Sequence, residues 1–521
     1  MPVLDLELLV RLKEEFRLSM RGLLFDLCRE LQADYGGIAS RYELPVGFFQ
    51  LLGQSLKVET YSDWKVVGWI EALNDLVYFV DILQQWERER ERRRFTEQLF
   101  AECEEKFFEH SYLEDLFPSG RPLFSGLEKR LTYLCGRLAQ EITQESLFFD
   151  SALPAKWCRQ RGLLRWNVRG MVCENFERTE EPGTIPVGIS GEWCRAPQHV
   201  LSALTRSRGR VTFRVEPGGI AVGIGSMVFP LWTGWGAQGE WHWTRQVAVT
   251  ALETHRGPVT VGPTLVYGTD RQPRTVSHTE EDRVERIRRA WRTIQEAWPE
   301  GHAVLALLTS RIVPLKAKGV VSFSYRHRPG LSFINCFDRD NLDLIDDLIH
   351  ENSHHHFNLL LRKHIMHHGD HNQQIFYSPW RRSLRPLRGI LHATFTFTIG
   401  AMLFERLSSW ATGRRGMTRW KKAGLTRRDL LRTRFRCLEE VESVRHSLQD
   451  LHYADHHLGW LTGSGPRMVG QLAEAIDQVE GKIERFKGEV LRSSFGPALR
   501  RHIEELRKAR RTYGPIRLSK A

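Results

Sequence analysis

The chain of 521 residues is poor in the features that would tie it to a membrane or an oxidising compartment. No segment offers the roughly 20 uninterrupted apolar residues of a membrane-spanning helix; the nearest, 389–404, is too short and carries His392. The opening MPVLDLELLVRLKEE has no basic head followed by an apolar stretch, so no secretory signal is expected. Eight cysteines, Cys28, Cys103, Cys135, Cys158, Cys173, Cys194, Cys336 and Cys437, are scattered without a C-x-x-C pair. Such thiols suit a reducing cytoplasm and argue against cysteine-bound structural zinc. Nucleic-acid-binding motifs are also missing. A cytoplasmic protein without a membrane partner is expected.

The hydrophobic fraction of 41% and the charged fraction of 26% are ordinary for a globular chain, and the length leaves room for about three domains. The patterns predict an α+β, predominantly helical protein. Residues 1–150 read as helices, with three- and four-residue apolar spacing from Leu4 to Leu31, from Trp64 to Gln85 and from Phe95 to Phe108. This region could recognise a peptide, although no residue in it says so directly. The run Glu87 to Arg94 (ERERERRR) reads as a solvated helix face. From 151 to 275 short β-branched runs such as RVTFRV, RQVAVTAL and PVTVGPTLVY alternate with Gly and Pro, which is a strand-and-turn pattern. Trp232, Trp235, Trp241 and Trp243 sit among its glycines, where packing is a commoner use than ligand stacking.

Residues 276–412 hold the chemistry. A charged amphipathic helix is expected from Glu280 to Trp298, then two strands on either side of Arg328-Pro-Gly, then the sequence LDLIDDLIHENSHHHF. Its apolar positions 342, 344, 345, 348 and 349 mark one helical face, and its acids lie near the start, where the helix dipole favours them. His350, Glu351 and His354 form H-E-x-x-H. Residues four apart stand one turn apart on a helix, so two imidazoles can meet one metal with a carboxylate beside it. A sheet edge leading into such a helix could pair with an extended peptide. His355, His356, His364, His367, His368 and His371 follow, and the expectation for these is solvent exposure or a hydrogen-bonding role around the site. A third ligand is needed. The nearly uncharged helix expected from Leu387 to Trp410 offers His392, with Glu405 as a rival.

The segments HENSH (350–354), YSPWR (377–381) and RPLRGILHATFTF (385–397) resemble the HExxH-type 2-oxoglutarate-dependent peptide β-hydroxylases. The likeness runs from about Glu281 to Phe404, with a fainter trace at LTGSGPRMV (461–469). It implies a non-haem Fe(II) oxygenase that uses 2-oxoglutarate and dioxygen to hydroxylate the β-carbon of a residue in a ribosomally made precursor peptide. His350 and His354 then bind iron, with His392 in the place of the third histidine. Three histidines depart from the two-histidine, one-carboxylate set common among oxygenases of this cosubstrate class. Glu351 would orient a ligand or substrate. The cosubstrate's distal carboxylate needs a cation, and arginine's planar fork suits it. Arg381, Arg382, Arg385 and Arg388 precede His392, and Arg385 and Arg388 are the preferred candidates because they fall two turns and one turn before it, if the helix extends back through Pro386. The competing reading is a zinc metallopeptidase in which Glu351 is the general base.

Residues 413–521 read as a basic helical region, with 24 Lys and Arg against 13 Asp and Glu. That excess supplies nearly all of the formal net charge of +12. It is either a solvated bundle or a surface for an acidic partner, an acidic peptide in preference to nucleic acid.

Overall fold

The computed structural model describes residues 3–41, 46–88, 281–368 and 373–514, with short stretches between 171 and 262. The protein is α+β and mostly helical, with small sheets. It divides into two compact units, one made of 1–16, 251–260 and 281–521, the other of 17–250 and 261–280. The predicted helix at 95–108, the charged run beyond Arg88, Trp235, Trp241, His371 and Cys103, Cys135 and Cys158 lie outside the described residues.

The first unit is built on a five-stranded sheet in the order Phe323–Ser324, Leu331–Asn335, Arg311–Leu315, Val259–Val261, Thr250–Leu252. Arg311–Leu315 and Leu331–Asn335 run parallel and every residue in both is buried, the usual state of a parallel pair covered on two faces. The turn at Arg328-Pro-Gly reverses the chain as the sequence predicts, and Phe323–Ser324 pairs antiparallel with Leu331–Asn335. Gly330 sits at φ +88°, and a Cβ there would lie 2.9 Å from the Ser310 hydroxyl, so both conformation and space require glycine. The edge strand is shorter than the Gly319–Tyr325 run suggests. The Asn335 amide donates to the carbonyls of Ala317 and Val320 and accepts from the Ala317 N–H, so a side chain takes over backbone bonds that a strand would have made.

The motif helix, Asn341–Lys363, packs against these two strands and against helices Glu281–Ala297 and Pro299–Leu308. Asp340 and Asp343 close a capping box at its start, an arrangement that contributes about 1 kcal/mol. Beyond it a hairpin pairs Phe376–Ser378 with Ser383–Arg385, and the tip Pro379-Trp-Arg-Arg is closed by the Arg382 N–H on the Ser378 carbonyl. The apolar helix follows, Leu387–Thr412. By length and composition it could cross a membrane. Here Leu391, Phe395, Ala401, Leu403 and Leu407 are wholly buried, because the motif helix packs on it and the helix Arg427–His456 lies along it.

Ser464–Ile483 and Gly496–Tyr513 complete this unit, joined to Arg427–His456 by pairs such as Arg445–Glu480 and by Arg510, which reaches Asp450. The boundary expected at 412/413 therefore falls inside a single compact unit. The second unit contains helices Gly36–Arg41, Val46–Ser55 and Trp64–Arg88 and most of Leu6–Ala33, tied by bonds from Tyr35 to Asp81 and from Tyr61 to the Gly53 carbonyl. Its strands form an antiparallel four-stranded sheet, Met171–Cys173, Val211–Glu216, Gly219–Ile224 and Met227–Thr233, and a three-stranded one, Thr184–Pro186, Glu192–Arg195 and His242–Arg245. Trp232 and Trp243 lie in these strands.

Candidate metal centre

One turn of the motif helix separates His350 from His354, and their Nε2 atoms lie 3.2 Å apart. Two nitrogens each about 2.1 Å from a single ion would be about 3.0–3.4 Å apart. The donor atoms of His350, Glu351 and His354 all fall within 4.8 Å of one another, the one such metal-capable group of three among the described residues. On the facing helix His392 brings its Nε2 to 2.7 Å from Nδ1 of His354. The ring of His354 is thus flanked by an imidazole at each nitrogen. A half-turn about its Cβ–Cγ bond exchanges Cε1 with Nε2 and aims that nitrogen at the space between its two neighbours. His392 is outside the metal-capable group of three and meets it through its contact with His354.

The donors are held in the form a metal needs. Each ring keeps some surface, but its surroundings are crowded, and burial pushes His392 down to about 4 and lowers His350 and His354. Neighbouring imidazoles and Arg381 depress His354 further, while at His350 Arg436 and Arg381 oppose Asp346. Neutral imidazole is the ligating species. Glu351 is buried beside them and accepts a hydrogen bond from the Ser324 hydroxyl at 2.8 Å. Burial pushes its carboxyl up to about 8, with Ser324 opposing and Asp347 and Asp346 adding to the rise. A bound cation would reverse that trend, since an opposite charge favours the carboxylate. The side-chain chemistry therefore fits a divalent metal with at least two imidazole ligands.

Ser324 belongs to the edge strand Phe323–Ser324, and among the described residues no strand pairs with its outer side. The metal-capable group thus stands directly beside a sheet edge. Phe323 stacks on Phe333 at 4.6 Å, and Tyr325 packs edge-on against both, so the strand next to the site is stiffened by rings.

The other residues singled out in the sequence separate by location. His355 and His356 are buried, and neither is solvated as the sequence reading allowed. His355 accepts from the Gly330 N–H at Nδ1 and meets the Ser332 hydroxyl at Nε2, while His356 packs edge-on against Phe395. His364 lies near Ser464, His367 bridges to Leu461, and the His368 N–H bonds to the Trp460 carbonyl, all away from the metal group. Glu405 is more than three turns beyond His392 on the same helix and is engaged by Ser409 and Lys482.

Arg388 is in the first turn of the apolar helix, one turn before His392. Arg385 is not on that helix, which starts at Leu387 after Pro386 at its N-cap; Arg385 pairs with Phe376 in the hairpin instead. The cationic field at the histidines comes chiefly from Arg381 on the hairpin tip, Arg436 on the helix Arg427–His456 and Arg326. Arg381 is one of the four arginines that the sequence singles out, whereas Arg326, Arg436 and Ser324 are not among its candidates. The Arg328-Pro-Gly turn, which folds the preceding strand back towards the motif helix, is the signal that could have found Ser324.

No protein-family model matches the chain, and no curated protein matches it in sequence.

Proposed function

We propose that the protein is an Fe(II)- and 2-oxoglutarate-dependent oxygenase that hydroxylates the β-carbon of a residue in a ribosomally made peptide. The observation that carries this reading is the approach of His350 and His392, from two facing helices, to the two ring nitrogens of His354. Iron bound there supplies dioxygen activation coupled to oxidative decarboxylation of 2-oxoglutarate. The chain's own groups do the rest. His350, His354 and His392 hold the ion. Arg381, and Arg388 one turn before His392, supply guanidinium for the cosubstrate's distal carboxylate. The Phe323–Ser324 edge offers backbone groups to an extended peptide, and Ser324 fixes the Glu351 carboxyl at the same place. An acidic peptide would suit the positive charge of 413–521, and a cytoplasmic setting would supply the cosubstrate.

A second reading, a zinc peptidase, is favoured by one specific feature: Glu351 stands within the metal-capable group beside a sheet edge, as a general base for metal-bound water would. Replacing Glu351 by Gln decides between them. In a peptidase Glu351→Gln abolishes cleavage, because the proton acceptor is gone. In the oxygenase Glu351→Gln still binds iron and still forms succinate, with loss mainly in coupling to peptide hydroxylation. The parent should add about 16 Da, one oxygen atom, to its peptide and leave the backbone uncut. Cleavage with zinc and without 2-oxoglutarate would overturn the proposal.

A further inference from the structure

The His350 ring packs against residues that no ligand motif contains. It meets Phe397 edge-on, with centroids 5.2 Å apart. Phe397 is in turn stacked flat on Trp380, at 4.2 Å and an interplanar angle of 7°. Asp346 stands one turn before His350 on the same helix, and Arg436 binds it at 3.2 Å. Both routes end at one carboxylate. The Trp380 indole N–H donates to Glu440 Oε2 at 2.7 Å, and Arg436 reaches Glu440 Oε1 at 3.3 Å. Glu440 is buried, so its two oxygens are committed to an indole and a guanidinium and not to water. Four separate elements thereby close a ring of contacts: the motif helix through Asp346 and His350, the hairpin tip through Trp380, the apolar helix through Phe397, and Arg427–His456 through Arg436 and Glu440.

A buried ion pair is weak evidence for stability, since desolvation offsets much of its attraction, and its better-attested use is to specify one arrangement. A ring that closes on a candidate ligand fits that use. We propose that Trp380 and Glu440 are positioning residues for the metal centre, holding the His350 imidazole in its ligating orientation through Phe397, while Arg436 and Asp346 tether the turn of helix that carries it. This rests on the reading that His350 is a metal ligand. The residues orient the ring and touch neither metal nor substrate.

The test uses the full chain, Co(II) as the probe metal, and four variants: Trp380→Ala, Trp380→Phe, Glu440→Ala and Glu440→Gln. Groups that orient a ligand typically change metal affinity about 10- to 100-fold when removed. Co(II) affinity should fall by that factor in Trp380→Ala and Glu440→Ala, with an altered visible spectrum of the bound ion. Trp380→Phe keeps the stack and should recover much of the loss. The double alanine variant should bind little worse than the weaker single one, because both residues act along one path.

A second readout needs no metal. In protein labelled at histidine and phenylalanine, the His350–Phe397 proton contact seen by NMR should persist in the parent and vanish in Trp380→Ala. Should an alanine variant fail to fold, Glu440→Gln, which keeps the shape but removes the charge that Arg436 binds, carries the decision, and its Co(II) affinity should fall as well. Folded Trp380→Ala, Glu440→Ala or Glu440→Gln protein that keeps the parent's Co(II) affinity within about twofold, its spectrum and the ring contact would overturn the proposal. A parent that binds no Co(II) while the ring contact still depends on Trp380 would instead overturn the ligand reading and leave the positioning role standing.

Discussion

Two pairs of histidines sit within seven residues of one helix and have opposite fates. His350 and His354 turn nitrogens towards each other, and His354 turns its second one towards His392. His355 and His356 turn into the protein, where His355 is fixed by Gly330 and Ser332 and His356 lies against Phe395. Because Nδ1 of His355 accepts from the Gly330 N–H, its proton is on Nε2 and is donated to Ser332. Burial pushes His355 down to about 4 and His356 to about 3, so neutrality alone does not mark a ligand. What marks a candidate is a ring nitrogen that meets the nitrogen of another imidazole. The difference arises from helical geometry, since a step of one residue rotates a side chain by about 100°.

That contrast can be broken most severely at the ligand pair. His350→Ala or His354→Ala should abolish stoichiometric metal binding while leaving the helical circular dichroism intact, and His392→Ala should weaken binding strongly; metal analysis after dialysis reads this. Full metal retention in His392→Ala would reduce it to a hydrogen-bond partner of His354. The reverse outcome is expected at His355→Ala. Removing a buried ring and leaving the Gly330 N–H unsatisfied should cost about 2–4 kcal/mol in denaturant unfolding, with metal binding retained.

A smaller effect sharpens the cosubstrate side. Loss of a guanidinium contact to a carboxylate is worth roughly 1.5–3 kcal/mol, so the variant lacking the anchor should need about ten to a hundred times more 2-oxoglutarate. Arg381→Ala and Arg388→Ala should show this and Arg385→Ala should not, in succinate assays at saturating iron. The smallest effect tests the core histidines away from the centre. His446 is pushed down to about 3 by burial, with Arg510 and His502 adding to the shift. Its folded value lies below the ordinary 6.5, so the unfolded chain takes up the proton first and stability falls as pH drops from 6.5 towards 3. Below pH 6.5 the parent should lose about 1 kcal/mol per pH unit more than His446→Gln, and above it the two curves should run parallel.

The sequence shows the motif helix, its acidic start, the Arg328-Pro-Gly turn and the apolar helix clearly, because each is written in local spacing. His392 is legible as a lone imidazole in an apolar helix, and it lies 2.7 Å from Nδ1 of His354. Arg385 does not lie two helical turns before His392, because the hairpin ladder ends its strand at Arg385 and the helix starts after Pro386. Trp380, Arg436 and Glu440 were not legible as neighbours of the centre. The Trp380–Glu440 and Asp346–Arg436 contacts span 60 and 90 residues, and no local pattern encodes them. The excess charge of 413–521 likewise hid that its longest helix packs along the apolar helix and brings Arg436 and Glu440 to the metal group's surroundings.

Whether three histidines hold one metal can be read from the X-ray absorption spectrum of the Fe(II)-loaded full chain. Scattering from three imidazole rings around a single iron, and no protein carboxylate, is expected. Two imidazoles with a carboxylate oxygen, or protein that takes up no iron, would contradict three-histidine ligation.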